Sequence, residues 1–284
     1  MERNLHQQFI PIIARLFKQR TGQVLNDDRI WRIDRAIETV VRQRGLGHSA
    51  DLMTLLTEPD AASVEQDLVE ALLNNETYFF RDRPALEKIA NQFLPQLAQA
   101  KSATRQFTIW SAGCSTGQEA LSLAILLHEH AAQWHGWTIR IVATDVSQSA
   151  IATARRGIYT KFEIQRGLGV GQMLEHFTET PDGWKASDAL HRSIRFSVQN
   201  LLEGPPAGEK FDLVLCRNLL LYFDDATKRV AFQHLAAGMA PHALLLLGGG
   251  ETVLAPSLGF ASTASDCSLY RLNSGNHWAK SAAA

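Results

Sequence analysis

The sequence has no C-x-x-C pair and only three cysteines, Cys114, Cys216 and Cys267, set far apart. That spacing excludes a zinc ribbon and a disulfide framework, so no metal is expected. No apolar run approaches the ~20 residues of a membrane span, so direct membrane insertion is not expected. The opening residues, Met-Glu-Arg-Asn-Leu-His, hold no apolar core of leader length. With unpaired thiols, these absences make the cytoplasm the expected compartment. An excess of either charge sign is absent too, with 28 basic and 29 acidic residues. The net charge is −1, which gives no global attraction to nucleic acid or an anionic membrane, and nucleic acid is not an expected partner. Neither G-x-G-x-x-G nor G-x-x-x-x-G-K-[ST] occurs, so the phosphate cradles of dinucleotides and nucleoside triphosphates are excluded. What is present is ordinary: 45% apolar and 20% charged residues in 284, enough for two globular domains.

Residues 1–73 read as helices. Phe9, Ile12, Ile13, Leu16 and Phe17 recur at helical spacing, and Thr21-Gly22 breaks the pattern. A second helix runs from Asn26 to Arg44, with Ile30, Ile33, Ile37 and Val40 on one stripe and Gly45-Leu46-Gly47 as its stop. Arg32, Arg35 and Arg42 fall on the opposite face. Solvation is the ordinary fate of such a face, and a docking surface for an acidic partner is the alternative. Ser49-Ala50-Asp51 caps a third helix, and Glu65–Leu73 forms a fourth. Residues 74–98 read as a linker followed by a helix from about Pro84 to Leu97.

From Phe107 the pattern changes to alternating strands and helices, over 99–273. Thr108 to Leu127 is the most telling stretch: a short apolar run, a small-residue turn with Gly113 and Gly117, then an apolar helical pattern. Further strands are expected at Thr138–Ala143, Ile194–Val198, Phe211–Cys216 and Ala243–Leu247. Helices are expected at Ser147–Arg156 and Asp225–Met239. Such alternation implies a parallel sheet with helices on both faces. Ligands in these sheets bind beyond the carboxyl ends of the strands, where Gly113, Asp145, Asn200 and Arg217 all fall. A cofactor with a ribose but no phosphate, such as S-adenosylmethionine, suits this turn. Residues 158–193 interrupt the alternation with a small β-hairpin turning at Asp182-Gly183. Residues 274–284 read as a disordered tail.

Asp145 ends a strand, where a carboxylate commonly accepts hydrogen bonds from ribose hydroxyls. It could instead cap the next helix, but Ser147 can do that, so the ribose role is favoured. Glu119 either closes a capping box onto the Thr116 amide or meets a cationic part of the cofactor. Arg217 at a strand end is either a surface ion pair or part of the site. Tyr222 is either a packed tyrosine or a hydrogen-bond donor. Arg81 is either a surface residue or a carboxylate clamp.

Taken in order, these strings resemble the CheR family of chemotaxis receptor glutamate methyltransferases. They are Asn75-x-Thr77-x-Phe79-Phe80-Arg81, Ser111 to Glu119, Ala143-Thr144-Asp145, Gly157-Ile158-Tyr159, Phe211-Asp212, Cys216-Arg217-Asn218 and Tyr222-Phe223-Asp224. The resemblance runs from about residue 5 to 272. It implies an all-helical N-terminal domain followed by a Rossmann-like α/β domain that binds S-adenosylmethionine and carries an inserted β-subdomain. It implies that Asn75, Thr77 and Arg81 reach the cofactor from the linker. It implies that Glu119 and Asp145 hold the methionine and ribose parts, and that Asn200, Leu201, Arg217 and Asn218 line the adenine side and strand ends, beside Gly113. It also moves the Arg32, Arg35 and Arg42 face toward docking on acidic receptor helices. Two departures stand out. Glu119-Ala120-Leu121 replaces the usual Glu-Pro-Tyr or Glu-Ala-Tyr, and Gly249-Gly250-Glu251 replaces the usual His-Ser-Glu.

The expected reaction is methyl transfer to receptor glutamates, leaving S-adenosylhomocysteine, with Arg81 and Tyr222 as the catalytic candidates. The competing readings are a methyltransferase of the same fold with another acceptor and a non-catalytic module that senses S-adenosylmethionine. The chain is expected to be a monomer. Its short segment Thr178–Asp188 is expected not to capture a receptor pentapeptide tether.

Overall fold

The structure is a computed structural model, and it describes residues 2–253, 259–263 and 268–273. The tail expected beyond residue 273 lies outside the described residues. The chain divides into two compact units, one of residues up to Asn74 together with Tyr222–Thr227, the other of the remainder.

In the first unit, α1 (Glu2–Thr21), α2 (Trp31–Arg44), α3 (Ser49–Leu55) and α4 (Ala62–Leu72) pack on one another. Ile13, Phe17, Ile33, Ile37, Val40, Leu52 and Leu68 are its buried centre. The apolar stripe read in α2 therefore turns inward, as helical periodicity requires. Gly45 stops that helix in the left-handed region, at φ 66°, with its amide donating to the Arg42 carbonyl. The cap of α3 differs from expectation. His48 is the N-cap, and its amide donates to Asp51 Oδ2 at 2.9 Å. The segment from Tyr222 joins this unit through backbone: the Val24 amide donates to the Tyr222 carbonyl, and Gln23 bridges Phe223. Lys18 pairs with Asp224 at 2.7 Å.

In the second unit, α5 (Arg83–Lys88), a π-helical stretch at Ile89–Phe93 and α6 (Leu94–Ala100) lead into the sheet. Its strands are β1 (Gln106–Ala112), β2 (Thr138–Asp145), β6 (Ile194–Val198), β7 (Phe211–Cys216), β8 (Met239–Leu247), β9 (Phe260–Ser262) and β10 (Leu269–Leu272). Their order is β6-β2-β1-β7-β8-β10-β9. The first five are parallel, as alternation with helices predicts. The last two run antiparallel to their neighbours, so the sheet is mixed. Connecting helices are α7 (Gln118–Glu129), α8 (Gln148–Arg156) and α12 (Asp225–Gly238). Leu121, Leu123 and Ile125 of α7 are fully buried, so leucine at 121 packs without the tyrosine usual in the family pattern.

The interruption is a second sheet. β3 (Ile158–Tyr159), β4 (Phe177–Thr180) and β5 (Gly183–Ala186) lie in the order β3-β5-β4. With them come α9 (Lys161–Gln165), α10 (Val170–His176) and α11 (Asp188–Arg192). Thr180 faces Gly183 across a two-residue turn at Pro181-Asp182, and Gly183 has φ 133°. Among the described residues, no helix is long and apolar enough to cross a membrane.

Candidate active site

The parallel register sets the carboxyl ends of β6, β2, β1 and β7 side by side. Ala112 is level with Thr144 and Cys216, and Asp145 is level with Val198. The turn after β1 crosses this edge. Its Gly113 and Cys114 amides donate to the Thr144 carbonyl at 2.8 and 3.0 Å. A Cβ on Gly113 would lie 2.9 Å from Leu219 Cδ2, and φ there is +78°, so only glycine fits. Of the five non-glycine residues with positive φ among those described, Phe80, Asp82, Ser115 and Asn218 belong to this neighbourhood. Backbone strain is thus concentrated where a ligand edge is being shaped.

Asp145 organises the turn. Its Oδ2 accepts the Ser115 amide at 2.7 Å, and its Oδ1 accepts the Ser147 amide at 2.9 Å. Ser147, not Asp145, caps α8, its hydroxyl accepting the Ala150 amide at 3.0 Å. Asn75 approaches from the linker. Its carbonyl accepts the Ser115 hydroxyl at 2.8 Å, and its side-chain amide donates to Ser147 Oγ at 3.2 Å. Thr77 is half-buried in the same stretch. The Phe80 amide donates to Ser122 Oγ, and Phe79 packs against Tyr159 and Phe177. Asn200 caps the short helix after β6, accepting the Leu202 amide at 3.0 Å, with Leu201 buried beside it.

Glu119 does not close a capping box. Gly117 is the N-cap of α7, and the Glu119 carboxylate turns away from the helix start. It accepts the Ser111 hydroxyl at 2.8 Å and Arg217 Nη1 at 3.0 Å. Nor is Arg217 a surface ion pair. Its side chain is 2% exposed. Its Nη2 donates to Asp82 Oδ2 at 3.1 Å and to the Arg81 carbonyl at 3.0 Å. A local capping pattern thus yields to a charge-assisted bond formed across the fold. The Arg81 guanidinium itself donates to the Glu76 carbonyl, at 3.3 Å, and lies 5.7 Å from the Tyr78 ring centre.

Several contributors were given no role in the site from sequence. Glu251, 5% exposed, accepts the Asn218 amide at 2.7 Å, the Gly248 amide at 2.9 Å and the Leu221 amide at 3.2 Å. The glutamate of the departed Gly249-Gly250-Glu251 string therefore still braces the loop after β7. Tyr159 donates to the Thr116 carbonyl at 2.8 Å, tying the small sheet to the glycine turn. Burial pushes the Cys114 and Cys216 thiols well up, so neither is a nucleophile at neutral pH.

Other predicted residues meet within the helical unit. A cavity of about 500 Å³ is lined by Arg29, Arg32, Arg35, Trp31, Asn74 and Tyr222, among others. Tyr222 Oη accepts the Asn74 side-chain amide at 2.8 Å, and the Arg29 guanidinium lies 5.0 Å from the Tyr222 ring centre. Arg32 does not point into bulk water. It is half-buried and donates to the Leu72 carbonyl at 2.6 Å. Burial lowers its proton affinity, yet an arginine remains charged. Arg35 and Arg42 are exposed, and Arg42 does not line the cavity.

Residues 75–266 match the family model described as "CheR methyltransferase, SAM binding domain". The chain belongs to the CheR methyltransferase family. It is 32% identical to a "Chemotaxis protein methyltransferase 1" of Vibrio cholerae, over 84% of this chain and 87% of that one. It is 30% identical to a "Chemotaxis protein methyltransferase 1" of Pseudomonas aeruginosa, over 85% and 89%. A "Chemotaxis protein methyltransferase" of Borreliella burgdorferi is 26% identical over 88% and 90%. The chain is accordingly a methyltransferase that uses S-adenosylmethionine. The strand-end site fits that cofactor. It offers a carboxylate at the end of β2 and no phosphate cradle. It also holds a buried donor, Arg217 Nε, without a hydrogen-bond partner, which suits a carboxylate group.

Proposed function

We propose that this CheR-family enzyme methylates glutamate side chains on chemotaxis receptors, giving glutamyl methyl esters. The observation that carries the reading is the cavity in which Tyr222 stands among Arg29, Arg32 and Arg35. Three guanidinium groups around one phenol make a place for carboxylates. S-adenosylmethionine, when bound, supplies an electrophilic methyl group on a sulfonium. Asp145 holds its ribose, Glu119 and Arg217 its methionine end, and Asn200, Leu201 and Asn218 the adenine side. Asn75, Thr77 and Arg81 close over it from the linker, beside the Gly113 turn. A glutamate is ionised at neutral pH, with a reference pKa of about 4.3, so the chain needs no general base. Its task is to hold a carboxylate oxygen in line. Tyr222 serves by donating its hydroxyl hydrogen, since that oxygen already accepts from Asn74. Arg81 orients the substrate carboxylate.

Transfer of labelled methyl groups to receptor membranes, released as methanol by mild base, tests the reading. Absence of base-labile label, or label in another acceptor class, rejects it. Tyr222→Phe should lower kcat about 10- to 100-fold, the worth of a hydrogen bond to a charged group. Affinity for S-adenosylhomocysteine should stay within twofold. Wild-type turnover would return Tyr222 to a packing role. Reversing Arg32, Arg35 and Arg42 to glutamate should weaken receptor methylation and flatten its salt dependence. Normal methylation at low salt would remove the docking role.

The enzyme acts without a receptor pentapeptide tether. β4 and β5 are four residues each and are joined by a two-residue turn whose Pro181 has no backbone donor, which leaves a short edge for an added strand. Titration with a pentapeptide containing Trp and Phe should show no saturable binding. Micromolar binding would overturn this.

A further inference from the structure

The far end of α7 carries His128 in its last turn, and α10 ends on Glu175-His176. One donor atom from each of these three residues lies within 4.8 Å of the others. His128 Nδ1 is 3.9 Å from Glu175 Oε1, and His176 Nε2 is 4.0 Å from the same oxygen. Both distances are too long for hydrogen bonds. The two imidazoles meet edge to face, with centroids 5.2 Å apart. His176 is 3% exposed in its side chain, and its Nε2 is buried with no hydrogen-bond partner. Buried ring nitrogens are normally served by protein, water or an ion. This one has a carboxylate oxygen 4.0 Å away and a donor nitrogen of a second imidazole within 4.8 Å.

We propose that His128, Glu175 and His176 bind a first-row transition-metal dication, with zinc the best match. Two imidazoles and one carboxylate suit zinc and its neighbours, whereas magnesium and calcium prefer oxygen alone. Around a tetrahedral ion with bonds of about 2.0–2.1 Å, donor atoms stand roughly 3.3 Å apart. The two distances to Glu175 Oε1 close to that value with a sub-ångström movement, and the two histidine donors, within 4.8 Å of each other, with at most about 1.5 Å. His128 and Glu175 can supply it, their side chains being 50% and 60% exposed. The carboxyl end of α7 also favours a cation. Three protein ligands leave the fourth position to water.

The site is separate from the cofactor turn. Glu119 and His128 are nine residues apart on one helix, or about 14 Å. A cation here would pin the end of α7 to α10, the helix that leads into β4. It would be a structural link between the main sheet's helices and the small sheet, absent from the transfer chemistry. No sequence motif announces it, because 47 residues separate the two histidines.

The test uses the full chain, stripped of metal with a chelator and returned to metal-free buffer. Calorimetric titration with zinc should show one saturable equivalent. Cobalt(II) should develop the intense visible bands of a four-coordinate ion. His128→Ala and Glu175→Gln, both at exposed positions, should each weaken binding at least tenfold. Zinc should raise the unfolding temperature of the parent chain and not of either variant. Two results would overturn the proposal: no saturable binding up to about 100 µM metal, or affinity unchanged in both variants.

Discussion

Arg217→Met should lower the stability of the α/β unit by about 3–5 kcal/mol, the cost of leaving a buried partner charge uncompensated. The guanidinium is 2% exposed and holds Glu119, which is 13% exposed, at 3.0 Å. Methionine fills much of the volume but gives Glu119 nothing to pair with. Asp82 is 43% exposed in its side chain and can turn to water, so its loss adds little. The effect therefore sits on the Glu119 carboxylate, and Glu119→Gln in the same chain should restore a large part of the loss. That coupling is the signature of a buried pair rather than of two independent defects. Urea unfolding followed by tryptophan fluorescence measures it, read as the midpoint of the α/β transition because the chain has two units. A loss below about 1 kcal/mol would mean that Arg217 behaves as a surface ion pair after all. Cofactor affinity should fall as well, because the same pair positions Glu119 beside the strand ends.

The strand-turn-helix at Thr108 to Leu127 was readable because a short apolar run, a glycine turn and a longer apolar stretch follow one another there, and both apolar stretches are buried nearly throughout. β1 is buried from Phe107 to Ala112, and α7 from Gln118 to Leu126 except at Glu119. Strand ends were readable for the same reason. A parallel sheet collects the residues that follow each apolar run, so Asp145, Asn200 and Arg217 share one edge without any contact being known. What the pattern could not supply was the partner of each charge. Thr116 to Glu119 matches a capping box locally, but Arg217, 98 residues away, competes for the same carboxylate and wins. β9 and β10 were missed because strands of three and four residues are at or below the limit at which alternation is legible, and no two-residue turn signal joins them as one joins β4 to β5. The π-helical stretch at Ile89–Phe93 keeps an apolar helical pattern, so sequence shows only a continuous helix. Glu251 stood in a string that departs from the family pattern, and only the three amides it accepts reveal its work.

Asp145→Ala should weaken S-adenosylhomocysteine binding about 10- to 100-fold, corresponding to the 1.5–3 kcal/mol of hydrogen bonds to a charged group. Two effects are folded into that number. The carboxylate accepts the Ser115 and Ser147 amides, so its removal loosens the glycine turn whether or not it touches a ribose. Asp145→Asn separates the two only in part. One face of an amide can still accept, while its NH2 group confronts the other backbone N–H, so the turn is weakened by about one bond. The cleaner separation changes the ligand. If Asp145 holds the ribose, an analogue lacking one ribose hydroxyl should bind the wild-type chain several-fold more weakly than the parent compound. The Asp145→Ala chain should hardly distinguish the two ligands. If the aspartate only braces the turn, the missing hydroxyl should cost the same in both chains. Calorimetry on the four combinations gives the coupling directly, and a coupling of zero would leave the β2 carboxylate as a loop brace.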